Sequence, residues 1–168
     1  GLGDVYKRQP YAALHPLKTV GNCILEVLTL HYSNNNKKNH ERTISLLNNV
    51  GLTEEFIHRY SHELSGGQRQ RVIIARALAV DPKVLICDES VAALDISVQA
   101  QVLNLLNDLK NNLGLSYLFI SHDLSVVKHM SDRVMIMREG HIIEIQEADS
   151  LYRNPKNDYT KKLIEAVL

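Results

Sequence analysis

The stretch Leu64-Ser65-Gly66-Gly67-Gln68-Arg69-Gln70-Arg71 decides the fold, because an apolar run ending in Cys87-Asp88-Glu89 follows it after about one helix length. Ser65 is a favoured N-cap residue. From Gln68 to Val80 the chain sets Val72, Ile73, Ala75, Ala77 and Leu78 among arginines at 69, 71 and 76, a pattern that predicts a helix closed by Asp81-Pro82. Gly66 and Gly67 therefore open a helix, where free backbone N–H groups and the positive end of the dipole favour an anion. With no side chains in the way, a phosphate can approach closely. The plainer reading is a glycine turn that merely starts a helix.

Val84-Leu85-Ile86-Cys87 is short and continuously apolar, so it predicts a buried strand of a parallel sheet. Asp88 and Glu89 emerge at its carboxyl end, where open α/β sheets bind ligands. A carboxylate there can hold Mg²⁺, directly or through water, while its neighbour orients or deprotonates an attacking water. Tyr117-Leu118-Phe119-Ile120 predicts a second strand, which puts His122 at a carboxyl end too, near Asp88 and Glu89. Taken singly, these residues have plainer readings: a solvated acidic turn, a surface histidine, a helix cap at Asp123 and a turn residue at Asp95. Their order along the chain outweighs those readings.

A match to Leu-Ser-Gly-Gly-Gln arises by chance in fewer than about one in a thousand chains of this length. With Asp88-Glu89, Ala92-Ala93-Leu94-Asp95 and Phe119-Ile120-Ser121-His122-Asp123 following in order, the chain resembles the ATP-binding cassette (ABC) transporter ATPases. In that family these are the signature motif, the Walker B strand, the D-loop and the H-loop. The resemblance implies an α/β fold: part of a P-loop NTPase (RecA-like) parallel sheet with a helical subdomain. It implies ATP and Mg²⁺ as ligands. Ser65, Gly66, Gly67 and Gln68 would grip the γ-phosphate held by a second ATPase subunit, Asp88 would anchor Mg²⁺, Glu89 would be the catalytic carboxylate, His122 would contact the γ-phosphate, and Asp95 would couple the two sites. The Gly-Gly-Gln loop of peptide release factors is a poorer match, since its glutamine sits on a mobile loop rather than opening a helix.

The resemblance covers essentially residues 10 to 168 and narrows to the oligopeptide and dipeptide importers. Pro10-Tyr11-Ala12-Ala13-Leu14-His15-Pro16, the run from Ile96 to Leu106, and Asn154-Pro155 through Tyr159-Thr160-Lys161 are similar to theirs. The implied partners are a second ATPase subunit, two transmembrane permease subunits and, indirectly, an extracytoplasmic solute-binding protein. The implied place is the cytoplasmic face of a bacterial membrane. ABC importers for other solutes such as nickel are the alternative, as are soluble ABC ATPases, which would carry a coiled-coil insertion or basic segments. A regulatory cassette would usually lack the glutamate. Two departures stand out: Ser61 and Ser90 occupy positions where the family commonly has proline.

No G-x-x-x-x-G-K-[ST] occurs, so the loop that cradles the β- and γ-phosphates is not in this sequence. The expectation is the C-terminal part of a cassette, too weak alone to bind ATP at the micromolar level. Residues 1–9 read as a non-native leader, which leaves Gln9, directly before Pro10, as a doubtful Q-loop residue. Residues 10–75 read as the helical subdomain with the signature, and 76–168 as the C-terminal part of the RecA-like core with tail helices.

Nineteen basic residues balance nineteen acidic ones, which offers no nucleic-acid footprint. No run of about 18 apolar residues occurs. Cys23 and Cys87 make neither a disulfide framework nor a metal site, in keeping with a reducing compartment. Periodicity predicts helices over 19–31 and 40–49 with a polar loop Ser33 to Asn39 between them, a third capped by Thr53, and one capped by Ser97 and ended by Gly114. A short helix at 123–130 follows, then strands Arg133 to Met137 and His141 to Ile145 turning at Glu139-Gly140, and helices near 147–153 and 158–167.

Overall fold

A computed structural model describes residues 14–32 and 35–166 of the chain. These divide into two compact units, the first ending at Leu118 and the second beginning at Phe119. In the first, helix α1 (Val20–His31) starts where the Thr19 side chain accepts a hydrogen bond from the Asn22 amide. Helix α2 (Asn36–Asn49) starts four residues before position 40, inside the expected loop, because the Asn35 side chain accepts from the Lys38 amide and caps it. A 3₁₀ turn (Glu54–His58) follows, without the expected side-chain cap from Thr53. Helix α3 (Gly66–Leu78) then packs among these elements. Ile24, Leu28, Leu47, Val50, Val72 and Ile73 are each at most 2% exposed and form the core of this helical block. Each such side chain contributes roughly 1.5–3 kcal/mol by its burial.

Strand β1 (Val84–Asp88), helix α4 (Ile96–Leu113) and strand β2 (Ser116–Ile120) follow. The strands are hydrogen-bonded neighbours in a parallel sheet, with the helix as their crossover. Gly114 ends α4 at φ 64°, as its type predicts. The start of α4 differs from the sequence reading: Asp95, not Ser97, occupies the cap position, and it makes no side-chain cap bond. The expectation of a buried strand also needs correction. Cys87 is buried, but Val84 is 55% exposed and Leu118 of β2 is 51% exposed, since two strands alone cannot cover both of their faces.

The second unit holds helix α5 (Leu124–Met130), the antiparallel hairpin β3 (Arg133–Arg138) and β4 (His141–Glu147), and helices α6 (Ala148–Arg153) and α7 (Asp158–Glu165). The hairpin turns through Glu139 and Gly140 at φ 51° and 80°, the left-handed pair that a two-residue connection requires. Leu124, Val134, Ile136, Leu151 and Ile164 form its core. Glu144 sits beneath the tail and accepts hydrogen bonds from the Lys156 amide at 2.8 Å and the Asn157 amide at 3.1 Å.

Candidate functional site

Helix α3 opens with a capping box. The Ser65 hydroxyl accepts from the Gln68 amide at 3.2 Å, and the Gln68 side-chain oxygen accepts from the Ser65 amide at 3.0 Å. These reciprocal bonds use two backbone donors. They leave the amides of Gly66 and Gly67 among those for which a helix N-terminus has no partner of its own. The Gln68 side chain thus holds the first turn in its capped shape, with Gly66 exposed and Gly67 buried. The sequence reading used the arginines at 69 and 71 only as part of a helical pattern and gave them no role. In the structure Arg69 is 7% exposed and donates to the Ser61 and Leu64 carbonyls, and Arg71 donates to the Val50 carbonyl at 2.7 Å. The first clamps the approach to the cap, and the second ties α3 to the end of α2.

The glycines are bounded by the segment that carries Asp95. A Cβ on Gly66 would lie 3.2 Å from Leu94 Cδ2, and one on Gly67 would lie 2.5 Å from Val98 Cγ1. Sequence reasoning assigned these glycines to anion approach and missed their packing role, which nothing in the local pattern signals. The signature turn and the residues around Asp95 are therefore neighbours within the first unit.

At the end of β1, Asp88 and Glu89 are half-buried and Ser90 is buried. Glu89 adopts φ 47°, a left-handed conformation that costs an ordinary residue energy and that Asp81 and Glu139 share. The turn is closed by the Ala92 amide donating to the Glu89 carbonyl at 3.2 Å. Behind it burial pushes the Cys87 thiol up to about 12, against an opposing pull from the Ser90 hydroxyl. His122 lies in the second unit and is exposed. Its neighbour Asp123 behaves as the plainer reading had it, capping α5 by accepting from the Ser125 and Val126 amides. Gln9 lies outside the described residues, as do the first residues of the segment beginning at Pro10.

The family model for ABC transporter matches residues 7–92, just over half of the chain. The chain belongs to the ABC transporter family. It is 52% identical over 161 residues to the oligopeptide transport ATP-binding protein OppF of Bacillus subtilis (strain 168), covering 95% of this chain and 53% of that protein. It is 50% identical over 159 residues to the dipeptide transport ATP-binding protein DppF of Haemophilus influenzae, covering 95% and 49%. It is similar to the solved dimeric structure of the ATP-binding cassette MJ0796 in a post-hydrolysis state bound to ADP and Pi, with a TM-score of 0.69 and 28% identity over 80% of this chain and 59% of that one. The chain thus spans about half the length of the curated relatives it matches. Its α/β architecture is that of part of an ABC cassette, and no helix among the described residues is long and apolar enough to cross a membrane.

The ligands that this family implies fit the residues present. A helix opened by two glycines next to a capping serine suits a phosphate that must approach backbone amides. No cluster of three metal-ligating side chains occurs among the described residues. Asp88 alone, completed by water and phosphate oxygens, matches the way Mg²⁺ is commonly held beside a nucleotide.

Proposed function

We propose that this chain is the signature and hydrolysis half of an ATPase subunit that powers import of oligopeptides or dipeptides. The observation that carries the reading is the capped, glycine-opened start of α3 packed beside the Asp95 segment, in a chain whose β1 ends in Asp88-Glu89. Similarity to OppF and DppF supports the peptide substrate. The dimeric state of MJ0796 supports a pair of cassettes, which in this reading face each other head to tail.

Bound ATP with Mg²⁺ supplies the phosphoryl group to be transferred to water and the cation that neutralises its charge. Ser65, Gly66 and Gly67 offer a hydroxyl and backbone N–H groups to the γ-phosphate held mainly by the second subunit, and Gln68 keeps them in place through its cap bond. Asp88 positions the cation, directly or through water. Glu89 orients the attacking water and accepts its proton, for which its preset backbone conformation removes freedom in advance. His122 donates to the γ-phosphate, and Asp95 links one site to the other across the subunit pair. Gln9 is the candidate for the Q-loop contact. Opening and closing of the pair would move two membrane permease subunits, with the helical block touching their cytoplasmic loops.

The reading is tested by uptake. Cells lacking the gene should fail to accumulate a labelled dipeptide or oligopeptide, the complete protein should restore uptake, and His122→Ala should lower it by at least about tenfold. Loss of nickel uptake with peptide uptake intact would contradict the substrate class.

A further inference from the structure

Between α3, β1 and α4 lies a pocket whose wall is apolar except at three points. Ile73, Leu85 and Leu106 supply apolar surface, and Gln70, Ser90 and Cys87 are the members of the lining that carry a polar group or a thiol. Gln70 is 1% exposed and Ser90 7%, yet the Gln70 side-chain oxygen and the Ser90 hydroxyl are buried without a hydrogen-bond partner among the described residues. Two such atoms in one pocket are costly, because each forgoes the bond it would make with water. The Cys87 sulfur beside the Ser90 hydroxyl is only a weak hydrogen-bond acceptor and leaves that hydroxyl largely unsatisfied, while the Gln70 oxygen has no such neighbour. The cavity volume, about 20 Å³, suits one water and little more, and a buried water needs two to four polar partners to be held.

We propose that Gln70 and Ser90 bind a single structural water in this pocket, which donates to the Gln70 oxygen and exchanges a hydrogen bond with the Ser90 hydroxyl. The water pins the signature helix to the turn after β1. Ser90 is then a positioning residue: it directly follows Glu89, whose φ of 47° survives only if the surroundings enforce it. A proline at position 90 would fix its own φ but offer no hydroxyl to the pocket. The link runs from the glycine-opened helix to the carboxylate that handles water, so the two halves of the chemistry would hold register through one hydrogen-bonded bridge. This role in hydrolysis rests on the function proposed above, whereas the water site itself does not.

The test is a high-resolution crystal structure of the complete protein and of its Ser90→Ala variant, paired with steady-state ATP hydrolysis by both and by Ser90→Thr. A water bonded to Gln70 and Ser90 in the parent and absent from Ser90→Ala is expected, with kcat lowered about fivefold, the factor that one ordinary net hydrogen bond carries, and KM for ATP unchanged. Ser90→Thr should keep the water and most of the turnover. A pocket that is dry, or filled by a protein atom, would overturn the site. Loss of the water with unchanged kcat would overturn the positioning role. A parent that holds the water but hydrolyses no ATP would instead count against the proposed function.

Discussion

Gly67→Ala opposes two effects whose sizes can be compared. Alanine is favoured over glycine in a helix by about 1 kcal/mol, less near the first turn. Against it, the new methyl carbon would stand 2.5 Å from Val98 Cγ1, well inside van der Waals contact. Valine is stiff at χ1, so relief requires α4 to shift near its start, and such overpacking costs roughly 1–3 kcal/mol. The net expectation is a loss of about 1 kcal/mol in urea unfolding of the complete protein. Gly66→Ala meets only the end of the Leu94 side chain at 3.2 Å, which can swing aside, so its stability should change by less than about 0.5 kcal/mol. Combining Gly67→Ala with Val98→Ala should recover most of the packing term, a coupling that a double-mutant cycle reads directly. A Gly67→Ala protein as stable as its parent, or a Val98→Ala change that recovers nothing, would refute the packing argument.

Glu144 offers a pH test. Burial pushes its carboxyl up, but the nearby Thr160 hydroxyl, together with bonds from the Lys156 amide, the Gln146 side chain and the Asn157 amide, outweighs that and holds it at about 2, against an ordinary 4.5. A depressed pKa means the stabilisation is fully present above about pH 4.5 and drains away as pH falls towards 2, so Glu144→Gln should cost about 1–2 kcal/mol at pH 7, allowing for screening near the surface, and flatten the acid limb of the stability curve. Arg42 stacks over the Tyr32 ring at 4.5 Å and pairs with Asp81, so Arg42→Ala should cost about 1 kcal/mol in thermal unfolding. Asp81→Gly should be nearly neutral, because it loses the same pair but relieves a backbone φ of 49°. Cys87, 4% exposed with its thiol raised to about 12, should resist alkylation at pH 8 until the protein unfolds; rapid labelling of the native state would contradict its burial.

Legibility in the sequence followed the range of the interactions. Helix α3, its serine cap, the left-handed end of α4 at Gly114 and the turn at Glu139-Gly140 are local matters, and residue types over four or five positions announce them. The order of carboxylates and histidine along the chain was legible for the same reason. Where a local signal had a competitor, the reading slipped: Asn35 competed with later residues to start α2, and Asp95 stood two positions ahead of the expected Ser97. Contacts between distant residues left no trace. Asp81 meets Arg42 from 39 positions away and Tyr32 from 49, and Gly67 needs its missing side chain because of Val98, which no periodicity reveals. The pocket at Gln70 and Ser90 is of the same kind, since each residue alone reads as an ordinary helix or turn position.

The central claim, that Glu89 handles the attacking water in a nucleotide-driven subunit, is tested most directly by Glu89→Gln in the complete protein. A glutamine keeps the shape and one acceptor oxygen but cannot take up the proton. The account predicts that ATP still binds with parent affinity, that steady-state phosphate release falls by at least about a hundredfold, and that an ATP-bound dimer accumulates on gel filtration. Phosphate release at the parent rate, with ATP bound normally, would contradict it.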